Sequence, residues 1–397
     1  MNKVLISSFD MEVGGVERSL ISMLENFDYD SNDVDLMLYR HQGDFMKLLS
    51  KKPNLLPEVD AYTSFRKSIA QLVKERKVNL AMARGKAKFK ANKIAATNNI
   101  LDSGYIQMQL MWKYSLPYLP QLDKEYDVAI SYLWPHYFVA EKVKAKRKIA
   151  WIHTDYSTIE TDIDMDLKMW NKFDYIMAVS EECKNAFLKK YPSLKGKVKV
   201  MENITSPEFI RKMAEEDIEE NIKEDDSFKL VSVARFSHAK GIDNAVKALK
   251  LLHDRGLTNI KWYVVGYGGD EEMIRKLISE NNLEESFILL GKKINPYPYM
   301  KFADIYVQPS RYEGKAVTVG EAQILGKPVL ITNYPTAKSQ VRDKYDGLIC
   351  ELSVEGIANG VENLYKNEKL RMMLDNNCRG IDYSNGYEIE KLYKLIL

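Results

Sequence analysis

SRYEGKAVTVGEAQILGKPVL, residues 310–330, reads as the turn of a strand–helix–strand unit. The run before it, DIYVQPS (304–310), has the two-sided hydrophobicity of a strand covered on both faces, and PVLITN (328–333) repeats that character behind it. Between them AVTVGEAQIL reads as a helix that starts near Ala316 and stops at Gly326, with Pro328 preventing its continuation. Glu313 lies in the loop, and Glu321 stands eight positions farther on, inside the helix. Strand, short glycine-containing loop, helix and second strand together specify a doubly wound α/β sheet. Such sheets collect ligands at the carboxyl ends of their strands.

The same alternation runs through most of the chain. One series of short apolar segments comprises 4–8, 34–39, 127–133, 148–153, 174–180 and 197–201. A second comprises 229–234, 260–266, 286–291, 304–310, 328–333 and 347–350. Helical patterns fall between them, clearest at 241–255, 270–282 and 355–366. The acid-rich EEDIEENIKEDDS separates the two series. We expect two Rossmann-like domains, 1–204 and 225–375, joined by a linker at 205–224. A helical segment at 376–397 is free to pack on either domain.

Composition narrows the function. The chain has 397 residues, 45% of them hydrophobic and 29% charged, as in globular domains. Lys plus Arg number 58 against 56 Asp plus Glu, a balance that argues against a general nucleic-acid binder. Cys183, Cys350 and Cys378 are far apart, so neither a disulfide framework nor a C-x-x-C metal site is expected. The opening MNKVLISSFDMEVGG is too short in apolar residues for a secretory leader, and no run approaches the ~18 apolar residues of a membrane span. These features lead us to expect a cytoplasmic protein.

Residues following the strands carry the chemistry. Gly14 and Gly15 precede a helix and would let an anion approach its N-terminus, although a tight turn also uses paired glycines. His153 ends the strand KIAWI, where it can bond a substrate hydroxyl or serve only structure. In ARFSHAKG, Arg235 and Lys240 can clamp a diphosphate beside a helix start; taken alone, each is as well read as a solvated cation. Gly266 and Gly268 form an incomplete G-x-G-x-x-G, which disfavours a nicotinamide cofactor. The amides of Gly314, Lys315 and Ala316 open the helix that carries Glu321. Two carboxylates at two distances can hold two polyols, a transferred sugar and a ribose. The bland reading of the pair is one solvated glutamate and one answering the helix dipole.

In combination these elements resemble the retaining GT-B glycosyltransferases of the large nucleotide-sugar-dependent family four, of the bacterial cell-surface polysaccharide and teichoic acid type. The resemblance spans the chain in order. It is carried most specifically by Arg235-x4-Lys240-Gly241 and Glu313-x7-Glu321. It implies two domains facing an interdomain cleft. It also implies retention of anomeric configuration, a nucleotide-sugar (UDP-linked) co-substrate, no cofactor and no required metal. Arg235 and Lys240 would bind the diphosphate and Glu321 the ribose. Glu313 with the amides behind it would bind the sugar, His153 would flank sugar and acceptor, and Gly15 would admit the diphosphate. Lys292 and Ile294 would lie along the base. Lys315 departs from the family's usual bulky residue, which points to a polar or acidic sugar group. Asp162-Ile163-Asp164 matches a metal motif, and we read that match as chance. A catalytically silent homologue that binds glycans or partners a transferase is the alternative. A phosphorylase and an NAD-dependent oxidoreductase rank below it.

Charge is uneven in the half that holds the acceptor in this family. Between Arg76 and Leu101 stand no acids but seven cations, counting Arg76; Met111, Trp112, Tyr114, Leu116 and Tyr118 follow, and 142–148 adds KVKAKRK. A peripheral anionic membrane surface or a polyanionic lipid-linked, glycan or teichoic acid acceptor would suit these segments, as would plain solvation.

Overall fold

The computed structural model describes residues 1–98, 100, 103–154, 156–157, 159–218, 222, 226–313 and 315–396. Its strands are short, the central ones are buried on both faces, and every pairing between them is parallel. The first sheet contains β1 (Asn2–Ser8), β2 (Asn32–Leu38), β3 (Asn54–Leu55), β4 (Glu125–Ser131), β5 (Lys144–Ile152), β6 (Tyr175–Ala178) and β7 (Val198–Val200), in the order β3-β2-β1-β4-β5-β6-β7. The second contains β8 (Phe228–Val233), β9 (Ile260–Val265), β10 (Phe287–Gly291), β11 (Ile305–Gln308), β12 (Val329–Thr332) and β13 (Leu348–Cys350), in the order β10-β9-β8-β11-β12-β13. Both are Rossmann-like α/β sheets of the kind the sequence predicts.

The order of each sheet decides where a ligand can sit. Strand order reverses between β1 and β4 in the first sheet and between β8 and β11 in the second. At such a switch point the loops leaving two neighbouring strands diverge to opposite faces and open a crevice at their carboxyl ends. Ile305 pairs with Leu230 and Tyr306 with Val231, which fixes the loops after β8 and β11 side by side.

The chain divides into two units. One is Met1–Thr205 with the C-terminal segment from Asn385, and the other is Ser206–Ser384. Each has its own apolar core, centred on Trp112, Trp170 and Phe138 in the first and on Trp262, Leu249 and Val361 in the second. Within the stretch expected as linker, Ser206 caps the helix Pro207–Met213 by accepting the Phe209 amide at 3.3 Å. This serine-proline start is a helix signal that the neighbouring acids obscured. Residues 219–221, 223 and 224 of that stretch lie outside the described residues. The terminal helix Ile389–Ile396 packs on the first unit, where Tyr393 meets Phe27 edge-on at 5.6 Å and buried Glu388 accepts the Glu202 amide at 2.9 Å.

The structure places the basic half more closely. The run 142–148 is largely strand β5, and several of its cations have partners. Lys146 pairs with Asp127 at 2.7 Å, Lys144 with Glu125 at 3.4 Å, and Lys148 donates to the Ala140 carbonyl at 3.0 Å. Met111 and Trp112, expected beside a charged surface, are core residues; Trp112 stacks on Phe65 with centroids 4.0 Å apart. Alternating burial along a helix cannot be told from a surface stripe when the apolar residues come as a cluster.

The first unit also buries a carboxylate. Asp166 accepts Gln109 Nε2 at 2.7 Å and the Tyr191 hydroxyl at 2.5 Å, and burial pushes its acid constant up to about 6 despite these bonds. A group raised above its ordinary value of 3.8 contributes stability that is complete below that pH and is lost as pH rises through 6. Urea unfolding is therefore expected to show the first unit losing about 2–3 kcal/mol between pH 4 and pH 7, and Asp166→Asn to flatten that slope. An unchanged slope in the variant would reject the assignment.

Candidate functional site

The loops at the switch point of the second sheet interlock through backbone. The loop after β8 ends in Gly241, which adopts φ +66°; a Cβ there would stand 2.1 Å from the Pro309 carbonyl oxygen. Only glycine fits so close an approach in that conformation. From the other side, the Arg311 amide donates to the Ala239 carbonyl at 2.8 Å. Arg311 then closes the joint by a fork of two 2.7 Å bonds to Asp243, with further bonds to the His238 carbonyl and Asn244. Burial would raise the Asp243 carboxyl, yet the Arg311 guanidinium outweighs it and holds that group below its ordinary range.

This joint brings Lys240 and Glu313 together. Glu313 is 5% exposed, and Lys240 Nζ lies 2.7 Å from its Oε1 and 2.6 Å from its Oε2. Ser310 Oγ at 2.6 Å and Gln308 Nε2 at 3.0 Å also donate to Oε1. Gln308 is itself fixed by the Tyr306 hydroxyl at 2.7 Å, and Thr336 Oγ1 donates to the Glu313 carbonyl at 2.9 Å. A carboxylate taken this far from water needs such a set of donors. The solvated reading of Glu313 is thereby excluded. Lys240, expected to face a diphosphate, is here the counter-ion of Glu313. Arg235, on the same loop, is exposed and makes no hydrogen bond or ion pair among the described residues.

The helix after this loop runs Val317–Ile324 with Ala316 as its cap. Its leading amides therefore belong to Val317 and Thr318, one turn edge beyond the residues the sequence suggested. Lys315 is exposed, Ala316 is buried, and Gly314 lies outside the described residues. Glu321 is 2% exposed and accepts the Tyr297 hydroxyl at 2.9 Å. It sits four residues after the first helical residue, just over one turn in. Both glutamates are thus interior groups held for a purpose other than solubility.

Gly266 and Gly268 have a local explanation. Added Cβ atoms would stand 1.9 Å from the Ala234 oxygen and 2.3 Å from the Phe236 oxygen. These glycines let the loop after β9 lie against the loop after β8, which positions Arg235 between them in sequence. Lys292 is exposed, with its ammonium 5.9 Å from the Tyr267 ring, and Ile294 is half-buried.

In the first unit, Gly14 caps the helix Gly15–Glu25 in an extended conformation, and only the movable Glu17 carboxylate is near its face. Nothing lies within 4 Å of where a Gly15 Cβ would be. His153 packs on Tyr132 at 4.7 Å and lines a recess with Tyr105, Trp134 and Tyr156. Burial pulls its acid constant down to about 3, so the ring is neutral at ordinary pH, and its enclosed Nε2 has no partner among the described residues. Asp162, from the metal-like Asp-Ile-Asp, caps the helix Ile163–Trp170 by accepting the Met165 amide at 3.0 Å. Among the described residues, no group of three or more His, Cys, Asp or Glu is placed to hold a metal.

The sequence reading missed Gln308, Ser310, Tyr297 and Arg311. A signal existed for two of them. Gln308 and Ser310 are polar positions at the end of an otherwise apolar buried strand, where each demands a partner.

Comparison with known proteins agrees with this geometry. Residues 213–380 match the family model described as "Glycosyl transferases group 1". An uncharacterized glycosyltransferase of Methanocaldococcus jannaschii is 27% identical over 170 residues, 42% of each chain. The UDP-Gal:α-D-GlcNAc-diphosphoundecaprenol α-1,3-galactosyltransferase of Escherichia coli is 27% identical over 170 residues, 42% of this chain and 43% of that one. The matched stretch therefore spans less than half the length of these relatives. Anabaena HepE in complex with UDP and glucose superposes with a TM-score of 0.66 at 16% identity, covering 100% of this chain and 99% of that one. The likeness in fold is to GT-B glycosyltransferases, and the matches support the group 1 glycosyltransferase family.

Proposed function

We propose that the protein is a retaining glycosyltransferase that takes a sugar from a nucleoside diphosphate, UDP by preference, and places it on a cell-surface glycan, teichoic acid or lipid-linked acceptor without a required metal. The observation that carries the reading is the joint at the switch point of the second sheet. There, one loop supplies Arg235 and Lys240, and its neighbour supplies a buried Glu313 that Lys240 touches at 2.6 Å. Cations at the carboxyl ends of parallel strands, one of them held by Glu313 and one open to solvent, suit a pyrophosphate.

Chemistry follows from that placement. As the bond from anomeric carbon to diphosphate oxygen breaks, positive charge develops on the sugar and negative charge on the departing phosphate. Arg235, Lys240 and the leading amides of the Val317–Ile324 helix stabilise the latter. The acceptor oxygen forms the new bond on the face the diphosphate leaves, and its proton passes to a phosphate oxygen. Arrival of the phosphate gives Lys240 a second anion to share, which releases part of the Glu313 carboxylate for the sugar hydroxyls. Glu321 takes the ribose. His153 is assigned to the acceptor side as a neutral hydrogen-bonding ring. The diphosphoundecaprenol-linked acceptor named for the Escherichia coli relative supports a lipid-linked acceptor here.

The first test is nucleotide binding by Glu321→Ala. Loss of a charge-assisted bond worth about 1.5–3 kcal/mol is expected to weaken UDP on the order of 10- to 100-fold while leaving pyrophosphate unaffected. Equal weakening of both ligands would place Glu321 elsewhere than at the ribose. A silent homologue is distinguished by binding UDP-sugars and neither hydrolysing nor transferring them.

A further inference from the structure

The helix Val78–Asn98 buries a row of small residues and leaves an unexplained row outside. Leu80, Ala83, Ala87 and Ala91 are buried against the Gly104–Ser115 helix. At ~100° per residue, Val78, Met82 and Phe89 fall within about 40° of each other on the opposite side. They are 52%, 59% and 74% exposed. Lys90 and Lys93 flank this row on one side and Lys88 on the other. All three are exposed and have no ion-pair partner among the described residues. Lys77, Arg84 and Lys86 are engaged: Lys77 with Asp60 and Glu75, Arg84 with the Ser64 carbonyl, and Lys86 over the Tyr114 ring. The whole 77–100 stretch contains no acid.

We propose that this helix docks the protein on an anionic lipid surface, with Met82 and Phe89 entering the headgroup–acyl boundary and Lys88, Lys90 and Lys93 meeting lipid phosphates. The two outward features select the occupant together. A soluble polyanion has no use for an exposed Phe89 and Met82. A second copy of the chain would set lysines against lysines. An anionic bilayer satisfies both, because apolar side chains leave water while the ammonium groups stay at phosphate depth. No helix among the described residues is long and apolar enough to cross a membrane, so the contact is one of surface docking. The proposal rests on exposure and charge and does not depend on the transferase reading.

Cosedimentation of the full chain with phosphatidylcholine vesicles, with and without phosphatidylglycerol, tests it. Binding is expected only with the anionic lipid and to weaken with salt. Met82→Ser with Phe89→Ser is expected to reduce binding more than tenfold. Lys88→Gln, Lys90→Gln and Lys93→Gln together are expected to reduce it on the order of a hundredfold, at roughly fivefold per cation. Thermal unfolding and UDP titration should be unchanged in both variants, which separates failure of this contact from failure of the nucleotide site. No binding to anionic vesicles at low salt, or equal binding by the serine variant, overturns the proposal. So does capture of soluble poly(glycerol phosphate) in place of vesicles, or a concentration-dependent dimer that the Phe89 change dissolves.

Discussion

Lys240→Ala is expected to weaken UDP binding on the order of 10- to 100-fold and, separately, to destabilise the second unit by about 2–3 kcal/mol. The two effects have different origins. Affinity falls because a fixed ammonium is lost from the diphosphate position. Stability falls because Glu313, 5% exposed, keeps Ser310 and Gln308 as donors but loses its counter-charge. Lys240 is partly open to water, with 29% of its side chain exposed, so the penalty stays below that of a fully enclosed pair. A second substitution separates them. Glu313→Gln removes the stranded charge, so the double variant is expected to regain most of the stability in urea unfolding and none of the UDP affinity. Restoration of UDP binding in the double variant would mean that Lys240 acts only as a structural partner of Glu313.

Gly241→Ala is the more severe change for the fold. A methyl group at φ +66° is strained in itself, and here it would also overlap the Pro309 carbonyl at 2.1 Å. Alanine is expected to cost on the order of 3 kcal/mol, or roughly 10 °C in thermal unfolding of the second unit. Gly256 provides the control, since it adopts φ +85° with nothing within 4 Å. Gly256→Ala pays only the backbone term, about 1–2 kcal/mol. If the two variants melt together, the loops after β8 and β11 are not locked as described, and the pairing of Lys240 with Glu313 loses its support.

How much of this was legible in the chain depends on the kind of signal. Strands such as VLISS and IKWYVVG announce themselves because parallel strands covered on both faces must be apolar throughout. β3 did not, because Asn54 and Leu55 form an edge strand of two residues with no run to detect. Arg235, Lys240, Glu313 and Glu321 stood out by spacing after strands. Their burial did not, since nothing in a one-dimensional pattern says that Glu313 turns inward. The Lys240–Glu313 contact spans 73 positions and depends on the β8–β11 neighbour relation, which is a property of sheet order. Gly266 and Gly268 stood out as a glycine pattern, but that they let the loop after β9 lie against Ala234 and Phe236 could be seen only once the two loops were placed side by side. Within the aromatic cluster at 111–118 nothing in the spacing marked Met111 and Trp112 as core and Tyr118 as exposed, while Met82 and Phe89, lying among lysines, were passed over.

Calorimetric titration of UDP, UMP and uridine in the presence of EDTA, on the wild-type chain and on Arg235→Ala with Lys240→Ala, tests the central claim most directly. The account expects UDP to bind the wild type more than tenfold tighter than UMP without any divalent ion, and that preference to vanish in the double variant. A preference for UDP that requires Mg²⁺ or Mn²⁺, or one that survives the loss of both cations, would contradict it.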